Sequence, residues 1–197
     1  MSKFSKILVS IIIIYSLYIL YIDIPTGNIY ELLITMSVIP IVFVPKILRK
    51  LSIKISKMSE NIYITFIFLA HFLGSIVDLY NNIWWYDTFT HFLSGIICSF
   101  FILEWLKNRG KYDSNDSIFT IAFIMGISFM IAGLWEDFEF ITDKIFGADA
   151  QKVLTTGVDD TMKDMIVATL GALIFCINFY FRKDKKNSFI SQFVDNI

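Results

Sequence analysis

Apolar residues gather in six long stretches along this chain, at about residues 7–22, 29–45, 61–80, 88–106, 118–135 and 165–181. Each approaches the ~20 residues that an α-helix needs to cross a bilayer. The pattern predicts an all-α polytopic membrane protein, a six-transmembrane-helix bundle forming one integral membrane domain over residues 1–197. Pro40 falls inside the second stretch and is expected to kink it. Lys3 and Lys6 precede the first stretch as they would in a signal peptide. That stretch is longer than a usual signal core, however, and Ile22-Asp23-Ile24-Pro25 offers no small-residue cleavage site, so it reads as a retained span.

Composition agrees with the pattern. Hydrophobic residues make up 56% of the chain and the mean hydropathy is +0.64, too apolar for an ordinary soluble domain. Cys98 and Cys176 both sit in apolar runs and read as buried thiols. The formal net charge of −1 points to no polyanion, so nucleic acid is not an expected partner; the lipid bilayer is.

Where the charges fall matters more than their sum. With six spans, Lys3, Lys6, the five basic residues of 46–57, Lys107, Arg109, Lys111, Arg182, Lys183, Lys185 and Lys186 all lie on one side. Only Lys144, Lys152 and Lys163 lie on the other. By the positive-inside rule both termini are cytoplasmic and the protein is a multi-pass cell-membrane protein. Lys46, Arg49, Lys50, Lys54 and Lys57 recur at spacings of three and four, which predicts a basic amphipathic linker helix on the membrane surface. Residues 81–86, Asn-Asn-Ile-Trp-Trp-Tyr, read as an interfacial aromatic belt.

The same orientation sorts the acids. Residues 136–164, expected as an acidic outer loop, hold Glu136, Asp137, Glu139, Asp143, Asp149, Asp159, Asp160 and Asp164, eight of the 18 acidic residues. Helical spacing places several on stripes with small residues below them. Span three carries His71, Gly74, Ser75, Asp78 and Asn82; span four carries Asp87, His91, Ser94, Gly95 and Cys98. Span five carries Ser128, Ala132, Glu136, Glu139 and Asp143, and span six Asp160, Asp164, Ala168, Gly171 and Asn178. Small residues let helices approach closely. Ionisable groups at membrane depth face the bundle or a wet cavity.

Asp87 with His91, Glu136 with Glu139, and Asp160 with Asp164 are same-face pairs one turn apart. Carboxylates crowded in a partly dry site repel, so the group takes up a proton or a cation. The candidate catalytic set is therefore Asp87, His91, Glu136, Glu139, Asp160 and Asp164. A divalent cation would draw on Glu136, Glu139, Asp160, Asp164 and His91, the imidazole favouring Mn²⁺ or Zn²⁺ over Mg²⁺ or Ca²⁺. Without metal, His91 and a carboxylate can serve as general base and acid. His71, Asp78 and Gln151 are supporting candidates, His71 reading as a neutral hydrogen-bonded core histidine before it reads as a ligand. Asp137, Asp143, Asp149 and Asp159 read as solvated surface.

Asp87-Thr-Phe-Thr-His91-Phe92 resembles the D-x-x-x-H-F entry to a span in VanZ-like membrane proteins. That family continues with a Glu-rich helix end, a Gln and a D-x-x-x-N before Gly-Ala; the matching positions are Glu136 or Glu139, Gln151, Asp160 with Asp164, and Gly171-Ala172. The W-x-x-x-E of residues 135–139, the D-A-Q of 149–151 and the D-T-x-x-D-M of 160–165 resemble more closely the uncharacterised YjdF-type bacterial inner-membrane proteins. The similarity covers roughly residues 60–181. Ala168 stands where the VanZ-like pattern often has asparagine, so that amide's role does not transfer. The resemblance implies a polytopic cell-membrane protein of a superfamily linked to glycopeptide (teicoplanin) resistance. Three functions fit these features. One is an enzyme acting on a lipid-linked or envelope substrate, another a proton-coupled transporter, and the third an envelope scaffold or accessory subunit.

Overall fold

The computed structural model describes residues 1–113 and 115–182; Lys183, Lys185 and Lys186, used above to orient the spans, lie outside them. Among the described residues the chain is helical without strands. In order come α1 (Lys3–Asp23), α2 (Ile29–Val42), α3 (Val44–Lys50) and α4 (Lys57–Ile67), which runs on as a π-helical segment, Phe68–Ile76. Next are α5 (Leu79–Asn82), α6 (Tyr86–Asn108), α7 (Ser117–Phe146), α8 (Val153–Thr156) and α9 (Asp159–Arg182). Five helical stretches are long and apolar enough to cross a membrane. The pair α2 and α3, bent by 44°, makes a sixth if it is one span. The bend falls at Phe43, between Pro40 inside α2 and Pro45 in the first turn of α3; Pro45 lacks the N–H that would continue the ladder to the Ile41 carbonyl.

Local chemistry sets the helix starts. Ser2, Asn28, Ser56 and Asp116 each accept a first-turn N–H with the side chain, at 3.0, 3.3, 3.0 and 3.0 Å. Gly147, at φ +67°, ends α7 in the left-handed region that favours glycine.

The chain divides into two compact units, Met1–Thr90 and His91–Ile197, the division falling within the first turn of the unbroken helix α6. In the first unit Val9, Ile12, Val38, Val42, Ile64 and Phe72 form the core. Its buried polar groups are closed by short bonds: Arg49 to Glu60 at 2.9 Å, Ser5 to Asn61 at 2.6 Å, Tyr63 to the Ile41 carbonyl at 2.9 Å. The basic linker is helical only to Lys50; Ser52 takes φ +61° and the chain then runs irregularly until Ser56 caps α4. The single helical stripe expected for span three also fails. The π-helical turn, with Val77 N–H bonded to the Phe72 carbonyl, changes the periodicity below His71, and Asp78 turns the chain at φ +63°.

In the second unit the core is Ile102, Leu103, Ile124, Cys176 and Phe179. Helices α6 and α9 meet backbone to backbone. A Cβ on Gly95 would sit 1.9 Å from the Ala168 carbonyl oxygen, and one on Gly171 2.1 Å from that of Phe92. The buried row of α9 is Asp160, Asp164, Ala168, Gly171, Ala172, Cys176 and Phe179. Its i+4 steps drift around the helix, so Asn178 falls off the row and is exposed.

The acidic stretch is mostly helix rather than loop. Residues 136–146 continue α7 and 159–164 open α9, which leaves only 147–158 to connect them. The reason is amphipathic: Glu136 faces inward while Phe138, Phe140, Ile141 and Ile145 face out.

Candidate functional site

The glycine contact between α6 and α9 sets the site's geometry. One turn before Gly95 stands His91, and one turn before Ala168 stands Asp164. With the two backbones touching, His91 Nε2 and Asp164 Oδ2 come within 4.0 Å, both side chains largely buried. Asp87, one turn earlier on α6, completes a group in which one ligand atom from each of Asp87, His91 and Asp164 lies within 4.8 Å of the others. Ligand atoms around a tetrahedral ion with bonds of about 2.1 Å stand about 3.4 Å apart, so small side-chain movements would close the group on a cation.

Asp160, one turn before Asp164, is buried but differently occupied. Lys163 pairs with it, and Lys152 Nζ lies 3.8 Å from its other oxygen. Lys163 also stands 3.7 Å from Asp164 Oδ1, so Asp164 turns one oxygen to an ammonium group and the other to the imidazole. Neither lysine is among the candidates that the sequence offers. Lys163 had a readable signal, its i+3 spacing from Asp160. Lys152 had none, being placed by the fold of its loop.

That fold is specific. Asp143, expected as solvated surface, accepts the N–H groups of Ala150 and Gln151 at 2.8 and 3.0 Å. Gln151 is buried and its amide donates to the Glu136 carbonyl at 3.1 Å and to the Thr161 hydroxyl at 3.3 Å. The loop thus folds back along α7 and ties it to α9.

Among the other candidates, Glu136 is buried on α7, while Glu139 accepts from the Trp135 indole at 2.8 Å. Within the described residues, Glu136, Glu139 and Asp160 add no ligand atom to the Asp87–His91–Asp164 group. His71 lies in the first unit, where Nε2 is 3.1 Å from the Ile34 carbonyl and 3.0 Å from the Ser37 hydroxyl. A carbonyl only accepts, so Nε2 carries a proton. Exposed Asp78 accepts from Asn81 and Asn82 within its own turn.

Residues 6–185 match the family described as "Predicted membrane protein (DUF2238)". The chain belongs to that family. Over 119 residues it is 30% identical to an "Uncharacterized protein" of Thermotoga maritima, a match covering 59% of this chain and 59% of that protein. It thus spans about three fifths of the relative's length. No solved structure matches. With its long apolar helices, the chain is a helical membrane protein.

Proposed function

We propose that this protein binds a divalent cation through Asp87, His91 and Asp164 and acts with it on a lipid-linked or envelope substrate at the extracytoplasmic face. The observation that carries this reading is the convergence of one imidazole and two carboxylates within 4.8 Å. Two carboxylates and a histidine leave coordination positions open, as a cation needs if it is to hold a substrate oxygen or activate water. The lipid side of the reading is supported by exposed Phe138, Ile141, Met162 and Ile166, apolar residues around the turns that bear Glu136 and Asp164. The uneven distribution of lysine and arginine supports an outer location with cytoplasmic termini in the cell membrane. The ordered motifs at Asp87–His91, Gln151 and Asp160–Asp164 support kinship with VanZ-like and YjdF-type proteins. A proton-carrier reading would lean on His71, whose Nε2 is engaged by Ile34 and Ser37.

The test is thermal unfolding of purified protein after chelation, with Mn²⁺, Zn²⁺, Mg²⁺ and Ca²⁺ added back singly. One ion, Mn²⁺ or Zn²⁺, should stabilise the protein by about 2–3 kcal/mol at a hundredfold excess over Kd. The effect should vanish in Asp164→Asn and His91→Phe. Equal melting with and without every ion would overturn the proposal.

A further inference from the structure

We propose that Lys152 and Lys163 form the anion-binding half of this site and take the phosphoryl group of its substrate, a phosphomonoester or diphosphate. The inference rests on the cation reading above and deepens it by naming what the cation would be paired with.

Residues 136–164 contain three lysines, and two of them converge on Asp160. The third, Lys144, lies over the ring of Phe140 instead. The two site lysines come from separate elements, one from α9 and one from the loop ahead of it. Placing Lys152 there has a cost. Its φ of +53° is left-handed backbone, which in a residue with a Cβ costs about 1–2 kcal/mol. The tie from Gln151 to Glu136 and Thr161 holds the neighbouring residue in place and sustains that conformation.

Exposure gives the site a direction. The lysine side chains are 27% and 42% exposed, the Asp160 and Asp164 side chains 7% and 5%. An arriving ligand meets ammonium groups first, with carboxylates beneath them. Asp87, Asp160 and Asp164 set three negative charges against two positive ones, which repels an anion while no cation is present. A divalent ion held by Asp87, His91 and Asp164 would reverse this balance, and Lys163, 3.7 Å from Asp164, would share its phosphoryl ligand. Ammonium groups and a divalent cation acting together are a common means of holding phosphate oxygens.

The experiment uses the full chain in nanodiscs at saturating Mn²⁺ or Zn²⁺, whichever stabilises it, and reads thermal unfolding in two arms. One arm adds inorganic phosphate to phosphatidylcholine discs; the other replaces part of the phosphatidylcholine with phosphatidic acid. A further rise in Tm is expected, in both arms if free anions enter and only with phosphatidic acid if the group must arrive on a lipid. Lys152→Gln and Lys163→Gln should each weaken the apparent affinity about tenfold or more, with the response to the metal alone retained as proof of folding. Lys163→Arg should keep most of it. A metal response without a phosphoryl response, or a phosphoryl response unchanged in both glutamine variants, overturns this inference alone. Loss of the metal response in the unmodified protein overturns the cation reading and this inference with it.

Discussion

His71 and His91 are the chain's two histidines, one in each unit, and they are held in opposite ways. The imidazole of His71 sits 3.0 and 3.1 Å from its oxygen partners on α2. That of His91 lies 4.0 Å from the buried carboxylate of Asp164, in the group that Asp87 completes. The contrast extends to the charges. In the first unit Arg49 closes on Glu60 at 2.9 Å. In the second, Lys152 and Lys163 stand 3.8 and 3.7 Å from Asp160 and Asp164, although Lys163 also pairs closely with Asp160. In the first unit the charges centre on one carboxylate, Glu60; in the second, two lysines share two, Asp160 and Asp164.

The strongest way to break the comparison is to push α6 and α9 apart. Gly95→Val places a side chain 1.9 Å from a backbone oxygen that cannot rotate away, at a cost of about 3 kcal/mol or more. Thermal unfolding in detergent should show it as the least stable variant, with no metal response. Gly126→Ala, which meets nothing within 4 Å, should be neutral or slightly stabilising. A Gly95→Val protein as stable as the original would mean that the glycine contact does not set the site.

Exchanging the histidines one at a time gives an intermediate effect. His71→Phe removes the N–H that the Ile34 carbonyl and the Ser37 hydroxyl share, in a mostly buried setting, so it should cost about 1–3 kcal/mol while sparing the metal response. His91→Phe should cost less stability and remove that response. If the two substitutions had the same profile, the division into structural and ligand-facing histidines would fail.

Much of this was legible in the sequence, for reasons that also explain what was not. Hydropathy located the long helices. The D-x-x-x-H pair of α6 and the D-x-x-x-D pair of α9 fall on buried or half-buried faces, with small residues below, as helical spacing required. What failed were features set by contacts between elements. Residues 136–146 read as a loop because their acids lower the average hydropathy, although Phe138, Ile141 and Ile145 keep one face apolar. The π-helical turn around His71 has no counterpart in a 3.6-residue pattern. Lys152 reaches Asp160 only because Gln151 and Asp143 fold its loop back along α7, and no local spacing encodes that.

The smallest effect expected comes from that loop, and it separates the units most finely. Gln151→Ala removes the donor to the Glu136 carbonyl, a buried bond, and should cost about 1–2 kcal/mol. Tyr63→Phe in the first unit removes a comparable bond, to the Ile41 carbonyl, and should cost a similar amount. Stability alone would not distinguish them; ligand response should. Tyr63 lies among closed groups, so its loss should leave metal and phosphoryl titrations unchanged. Gln151 adjoins Lys152 and holds the loop that carries it, so its loss should weaken the phosphoryl response several-fold while the metal midpoint, set by α6 and α9, stays put. Isothermal titration of both variants with phosphate at fixed metal would decide the matter. Equal phosphate affinities in the two would show that the loop's hydrogen bonds serve folding only, and that Lys152 reaches the ligand without their help.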